Sequence, residues 1–126
     1  MVEPLSNEIR LVIAAELPDI ASLMLASFVE FRSFYTEEAF LATTPTADQL
    51  AQRMQEGPLW IATQGENKVG TVSAVVRKDD LYIRGMAVLP IARGHRLGEL
   101  LLNKVEESAR EQNCKRLVLS TTPFLF

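Results

Sequence analysis

Residues 81–113 have the pattern of a strand, a short basic loop and an amphipathic helix. The first eight are apolar or aromatic apart from Arg84 and Gly85, and Pro90 ends the strand. From Glu99 onward, apolar residues recur at helical spacing. The first backbone N–H groups of such a helix have no partner within it, and they point into the preceding loop. This segment therefore predicts an anion-binding site where the loop meets the helix.

The loop itself favours a phosphate or pyrophosphate. It contains Arg93 and Arg96, and His95 adds a third cation when it is protonated. Two well-known phosphate motifs are absent from the sequence, G-x-x-x-x-G-K-[ST] and G-x-G-x-x-G. The pattern thus excludes a P-loop nucleotide site and a dinucleotide fingerprint, but it leaves a different phosphate-binding loop.

Residues 86–101, MAVLPIARGHRLGELL, resemble the acetyl-CoA signature of the GNAT N-acetyltransferase superfamily. That signature is written [QR]-x-x-G-x-[GA], with Arg93 at its first position and Gly98 at its last. Its central glycine is replaced here by Arg96. Because glycine allows the backbone to approach the pyrophosphate, we expect Arg96 either to hold an ordinary helical conformation with its side chain turned out or to weaken binding.

The resemblance implies an N-acetyltransferase that moves an acetyl group from acetyl-CoA to a primary amine by direct attack in a ternary complex. A splay or bulge near Gly85 would free backbone groups of Met86 and Val88 to pair with the pantetheine arm. One N–H there could stabilise negative charge on the thioester oxygen. The implied cofactor-binding residues are Met86, Ala87, Val88, Arg93, Gly94, His95, Arg96, Leu97 and Gly98.

Periodicity and turn signals predict an α/β protein with a mixed sheet. Pro18 opens a first helix, and the capping box Thr46-Ala47-Asp48-Gln49 opens a second. Short turns join three strands that must be antiparallel, and a helical crossover makes the last strand parallel to its predecessor. The order β-α-α-β-β-β-α-β resembles the first five strands and three helices of the GNAT fold. The predicted strands are residues 9–15, 59–63, 69–77, 81–88 and 116–121.

Aromatic residues cluster at the end of the first helix. Two interpretations stand: the rings pack in the core or under a loop, or they wall the acceptor pocket, as the matching segment commonly does in the GNAT superfamily. The second interpretation gives Phe28, Phe31 and Tyr35 as substrate-binding residues.

A general base is harder to assign. A lysine-like amine has a pKa of about 10.4, so the site must remove a proton or admit only the neutral amine. Many superfamily members use a glutamate on the fourth strand, but the corresponding place here falls near Tyr82, without a carboxylate. The catalytic residues therefore stay unassigned. Asp80, Glu30 and Tyr82 are candidates, with turn, surface and packing roles as the alternative.

Composition limits the remaining possibilities. With 126 residues, 48% of them hydrophobic, residues 1–126 form a single domain with one core. A net charge of −3 argues against nucleic acid or an anionic membrane as partner. Cys114 is the only cysteine, which indicates a reducing compartment, and the N-terminus lacks the pattern of a signal peptide. We therefore expect a cytoplasmic protein. No cluster of histidine, cysteine and aspartate has the spacing of metal ligands, so we also expect no bound metal.

The sequence ends in Phe124-Leu125-Phe126, where GNAT proteins usually continue with a fourth helix and two more strands. That helix often carries a tyrosine that protonates the departing thiolate. We expect a shortened member, natural or a fragment, whose exposed strand edge pairs with a second copy in a homodimer. Its acceptor would be a small-molecule or peptide amine. The alternatives are an acyl-CoA-binding module without turnover, or an assembly role.

Overall fold

The computed structural model describes residues 6–119. In them, a five-stranded sheet lies between α1 and α3 on one face and α4 on the other, where α1 is Leu17–Phe28, α3 is Ala47–Glu56 and α4 is Leu97–Glu111. A further helix, α2, spans Glu37–Thr43, and 3₁₀ turns span Ala14–Glu16, Val29–Phe34 and Pro90–Ala92. The strands are β1 (Asn7–Leu11), β2 (Leu59–Gln64), β3 (Asn67–Arg77), β4 (Asp80–Val88) and β5 (Arg116–Leu119).

The strands lie in the sheet in sequence order, β1-β2-β3-β4-β5. The pairs β1/β2, β2/β3 and β3/β4 are antiparallel, and β5 is parallel to β4. Short turns join β2 to β3 and β3 to β4, whereas α4 supplies the crossover from β4 to β5. The predicted mixed sheet and its strand directions are confirmed.

The start of the chain differs from the prediction. We expected a strand over residues 9–15, but β1 ends at Leu11 and a 3₁₀ turn follows. The reason is local, because the carboxylate of Glu16 accepts a hydrogen bond of 3.0 Å from the backbone N–H of Ile13. This bond curls the apolar run 12–15 into a turn.

The structure contains one helix more than the sequence predicted. The capping box of α3 forms both of its hydrogen bonds, 3.2 Å from the N–H of Gln49 to Thr46 Oγ1 and 2.9 Å from the N–H of Thr46 to Gln49 Oε1. Helix α2 was missed, although Thr36 caps it by accepting from the N–H of Ala39 at 3.1 Å. The observed order is therefore β-α-α-α-β-β-β-α-β. Helix α4 begins at Leu97, two residues before the predicted start, and residues 120–121 of the last predicted strand lie outside the described part of the chain.

Two apolar clusters hold the layers together, one on each face of the sheet. On one face α4 contributes Leu101 and Val105, both fully buried against β3 and β4. On the other face, Ile20 of α1 and Leu50 of α3 are fully buried against the sheet. Burial of such side chains is worth about 2 kcal/mol each, so both faces stabilise the sheet.

Glu16 is a buried carboxylate that joins β1 to the start of α1. It accepts hydrogen bonds from Arg10 at 2.8 and 2.6 Å and from the N–H of Ile13, and Lys68 lies 3.8 Å away. The hydrogen bonds from Arg10, followed by that from Ile13, lower the pKa of Glu16 from 4.5 to about 2. The ionised form is therefore favoured in the folded protein.

We expect Glu16 to make stability depend on pH. Because its folded pKa lies below its ordinary value of 4.5, its contribution is present above pH 4.5 and is lost as the pH falls toward 2. Urea unfolding should show Glu16→Gln less stable than the wild type at pH 7, by on the order of 3 kcal/mol, and nearly equal to it at pH 2. The exposed Glu8→Gln on β1 is the matched control. An equal loss for Glu16→Gln at both pH values would contradict this linkage.

Candidate functional site

Strand β4 contains a bulge at the position where the sequence predicts one. Ser73 of β3 pairs with Gly85, but its neighbour Ala74 pairs with Ile83, so Arg84 is an additional residue in β4. The bulge shifts the alternation of side chains by one residue. Ile83 faces α4, whereas Ala87 lies in the cluster under α1. A side chain at position 85 would also face α1, since its Cβ would lie 3.4 Å from Met24 Cε.

Beyond the bulge, two residues of β4 direct their backbone groups away from β3. The N–H of Leu89 donates to the carbonyl of Val69 at 2.8 Å, which makes this a hydrogen-bonded pair of the antiparallel ladder. Counting back by twos, Ala87 also bonds to β3, whereas Met86 and Val88 point to the opposite side. On that side the described pairing of β4 with β5 ends at Ile83. Within residues 6–119 no strand pairs with β4 at Met86 and Val88, and their backbone groups have the orientation that an extended guest requires.

The loop after β4 turns sharply into α4. Gly94 has φ +87° and Arg96 has φ +61°, both in the left-handed region. Arg96 is the N-cap residue, and no side chain in residues 6–119 caps this end of α4. Its carbonyl accepts from the N–H of Leu100 at 3.1 Å, so the N–H groups of residues 97–99 precede the first helical bond. Three donors and the positive end of a helix dipole thus meet at this loop.

The surface above these donors is open. A Cβ atom added to Gly94 or to Gly98 would meet no described atom within 4 Å apart from those of its chain neighbours and of the adjoining helix backbone. Leu97 between them is buried, so it anchors the start of α4 in the core and can offer a ligand only its backbone N–H. An anion can therefore approach the helix end closely.

The conformation of Arg96 corrects one expectation. The prediction of an ordinary helical backbone is wrong, because Arg96 has φ +61° and ψ +19°. A left-handed residue other than glycine is disfavoured by about 1–2 kcal/mol. Its side chain is exposed at the loop and makes no ion pair with other residues in 6–119. Arg96 thus occupies a position that suits glycine but brings an exposed cation to the start of α4.

The guanidinium of Arg93 points toward the end of α1 and not toward the start of α4, where a phosphate would bind. The guanidinium donates to the carbonyls of Val88 at 3.1 Å and Ser27 at 2.8 Å, and it pairs with Glu30 at 2.5 Å. It also lies 5.7 Å above the ring of Phe31. These bonds fasten the loop to the C-terminal end of α1, where a cation is favoured. The phosphate contact predicted for Arg93 would require its guanidinium to leave these partners.

His95 is held by a residue that the sequence did not indicate. The side-chain amide of Gln64, at the end of β2, donates to His95 Nδ1 at 2.9 Å. His95 itself is exposed, which agrees with the predicted role of a loop residue that contributes its backbone. Gln64 was missed because it lies 31 residues earlier in the sequence and approaches only through the sheet.

The aromatic cluster divides between the two interpretations. Phe28 is 5% exposed and belongs to the core under α1, which favours a packing role. Phe31 and Tyr35 are partly exposed, and Tyr35 lies 6.5 Å from the ring of Phe40. The acceptor role therefore stays a prediction for all three, with the weakest support at Phe28.

Each of the three candidates for the general base is engaged by an arginine and does not have the geometry of a base that removes a proton from the amine. Asp80 forms two hydrogen bonds with Arg116, at 3.0 and 2.8 Å, which lower the pKa of Asp80 and make it a weaker base. It also lies at the opposite end of β4 from Met86. Glu30 is paired with Arg93. Tyr82 packs under Arg77, whose guanidinium carbon lies 5.1 Å from the centre of the ring.

Residues 6–119 contain no helix long and apolar enough to cross a membrane. The same residues bring together no group of three or more histidine, cysteine, aspartate or glutamate side chains able to hold a metal ion.

Solved structures share this fold at low sequence identity. The PaiA N-acetyltransferase from Thermoplasma acidophilum, in complex with coenzyme A, has a TM-score of 0.83 at 14% identity, with 96% of this chain and 82% of that chain covered. The ribosomal-protein-S18-alanine N-acetyltransferase from Escherichia coli has a TM-score of 0.75 at 16% identity, covering 94% and 68%. An aminoglycoside N-acetyltransferase, AAC(6')-Iy in complex with CoA, has a TM-score of 0.72 at 18% identity, covering 98% and 82%.

The sequence itself matches a family model over most of its length. No curated protein matches the chain at a significant level. The model of the Acetyltransferase (GNAT) family, in contrast, matches residues 18–124, from the first turn of α1 to beyond β5. The bulged β4, the open start of α4 and this match agree, and the chain belongs to the GNAT acetyltransferase family.

Proposed function

We propose that this protein transfers an acetyl group from acetyl-CoA to the primary amine of a small molecule or peptide. The observation that carries the proposal is the uncapped start of α4 beside the part of β4 at Met86 and Val88, with which no strand in residues 6–119 pairs. The two together offer donors for a pyrophosphate and backbone groups for an extended amide chain. The coenzyme A bound in two structures of the same fold supports the same guest.

The residues present fit acetyl-CoA. The N–H groups of residues 97–99 would hold the pyrophosphate. Backbone groups of Met86 and the N–H of Val88 would pair with the pantetheine arm, while the Val88 carbonyl stays with Arg93. When bound, acetyl-CoA supplies an activated acetyl group on a thiol leaving group.

The amine must reach that acetyl group without its extra proton. No carboxylate of β4 in residues 6–119 is placed for this task, since Asp80 is held by Arg116 at the far end of the strand. We therefore assign no catalytic residue. The chain would admit the neutral fraction of the amine and align it beside the bulge.

Calorimetric titration with acetyl-CoA tests the donor site, with the molar mass measured on the same sample. Affinity in the micromolar range or better, followed by CoA release with an amine panel, is the expected result. A folded protein that does not bind acetyl-CoA would overturn the proposal. Binding without CoA release from any amine would favour the second candidate, an acyl-CoA-binding module, for which the unassigned general base is the supporting observation.

Arg96→Gly is expected to stabilise the fold and to preserve or tighten acetyl-CoA binding. Removing a left-handed arginine relieves backbone strain, and the greater freedom of glycine in the unfolded chain offsets part of the gain. We expect about 1 kcal/mol of added stability in urea unfolding. Arg110→Gln, on the exposed face of α4, is the control for loss of one positive charge. Weaker binding by Arg96→Gly alone would identify the Arg96 guanidinium as a phosphate ligand.

We further propose that two copies pair through the edge of the sheet. In the described residues β5 is an edge strand, and its Leu119 is 42% exposed. Edge strands with apolar side chains favour pairing with another chain. Light scattering should give twice the chain mass, and a monodisperse monomer at high concentration would contradict the pairing. A cytoplasmic location stays a prediction from the single cysteine.

A further inference from the structure

A second charged surface lies beside the bulge of β4, between α2, α3 and the sheet. It is a groove of about 540 Å³ whose charged lining residues are Asp48, Arg53, Glu56 and Arg84. Arg84 is the additional residue of the bulge and faces the groove, and the bulge turns position 85 to the same face of β4. The groove therefore adjoins the part of β4 at which the acetyl group would be transferred.

Arg53 reaches from α3 to the bulge itself. Its Nη1 atom lies 3.5 Å from the position that a Cβ of Gly85 would take. No carboxylate in the described part of the chain lies within ion-pair distance of this guanidinium, because Glu56 pairs with Arg84 instead. Burial, aided by the positive charge of Arg84, lowers the pKa of Arg53. Arg53 is thus a partly buried cation that forms no ion pair in the described part of the chain, although the negative charge of Glu56 acts on it from a longer distance.

The four charged residues that line the groove sum to zero, but Arg53 is the cation among them that forms no ion pair within residues 6–119. The pair of Arg84 and Glu56 is neutral, and Arg53 adds one positive charge. Asp48 is exposed in the first turn of α3, five residues before Arg53 and therefore about 7.5 Å away along the helix axis. A partly buried guanidinium without a partner is costly, and an arriving anion would offset that cost.

We propose that the acetyl acceptor is an amine that also carries a carboxylate, and that Arg53 binds this carboxylate while the amine lies at the bulge of β4. The inference rests on the proposed acetyl transfer and names its class of acceptor. The planar guanidinium matches a carboxylate with two parallel hydrogen bonds, which fixes orientation as well as position. Arg53 is then a residue that determines specificity and does not take part in the chemistry.

The test uses the full chain with amino acids of increasing length, each compared with its primary amide. The paired compounds differ in charge but keep the same amine. Amidation also lowers the pKa of the amine, which raises the neutral fraction and works against the expected result. The first readout is kcat/KM for CoA release. The second is affinity for the acetylated products of both series, measured by calorimetry on the CoA-saturated protein.

We expect at least one amino acid to exceed its amide by tenfold or more in kcat/KM, and its acetylated form to bind more tightly by a similar factor. Arg53→Gln should remove both preferences and leave acetyl-CoA affinity within twofold, and Arg53→Lys should retain part of them. Arg110→Gln, a change of equal charge on α4, should behave as the wild type. Should Arg53→Gln fail to fold, the same comparison is made with Arg53→Lys.

Two results would overturn this inference, and they can be told apart from failure of acetyl transfer. If the amides release CoA as fast as the amino acids, the enzyme activity stands and the carboxylate preference is wrong. If no amine releases CoA, the acetyl-transfer proposal fails. In that case equal affinity for the charged and amidated products would also reject a carboxylate site at Arg53.

Discussion

Gly98→Glu is expected to abolish acetyl-CoA binding without unfolding the protein. Gly98 lies in the first turn of α4, and a Cβ there would meet no described atom within 4 Å apart from those of its chain neighbours and of the adjoining helix backbone. The fold should accept the larger side chain, and a carboxylate near the positive end of a helix is mildly stabilising. The same carboxylate would occupy the anion site and repel the pyrophosphate. We expect affinity to fall by at least about 100-fold, which corresponds to about 2.8 kcal/mol.

Two further variants separate charge from bulk at this position. Gly98→Gln has nearly the size of the glutamate variant without its charge, so it should lose much less affinity. Gly98→Ala should bind as the wild type. Calorimetric titration gives the affinities, and thermal unfolding of each variant shows that the fold is retained. Unchanged affinity in Gly98→Glu would remove the start of α4 from the proposed site.

Among the glycines in the described residues, Gly57 is the one at which replacement by alanine is expected to destabilise the fold most. Gly57 ends α3 where the chain crosses β3, and a Cβ there would lie 2.0 Å from the carbonyl oxygen of Ala74 and 3.1 Å from Val75 Cα. Both are backbone atoms of a central strand, which cannot move aside as a flexible side chain can. The backbone of Gly57 is extended, with φ −179°, so the requirement for glycine is one of space.

We expect Gly57→Ala to lower the free energy of unfolding by about 3 kcal/mol or more, at the upper end of the range for overpacking. Urea unfolding measures the change. Gly98→Ala is the matched control, since the same methyl group enters open space in a helix and should stabilise it by up to about 1 kcal/mol. A loss below about 1 kcal/mol for Gly57→Ala would show that α3 shifts away from β3 at little cost.

Much of the local structure around the proposed acyl-donor site could be predicted because its signals are local. The strand, the loop and the amphipathic helix of residues 81–113 lie in one continuous segment, and the bulge occurs beside Gly85 as expected. The capping box of α3 forms as its four residues predict. The short helix α2 was missed because its only signals are Thr36 and the two glutamates that follow it.

The charged residues were harder to place, because the partner of an arginine is set by distance in space. Arg93 looks like a phosphate ligand in the sequence, yet it binds Ser27 and Glu30, more than 60 residues earlier. No motif or spacing in the sequence indicated a role for Arg53. Only the packing of α3 against β4 brings it to Gly85.

The sequence by itself determined the order and direction of the strands, the succession of strand, loop and helix that leads into α4, and the family. Each of these depends on spacing along the chain, such as turn residues, periodicity and the pattern from Met86 to Leu101. The tertiary structure alone decided which cations are bound internally and which are free. That outcome depends on how α1 and α3 pack on the bulged strand, because desolvation and ion pairing act over a few ångströms in space regardless of separation in sequence.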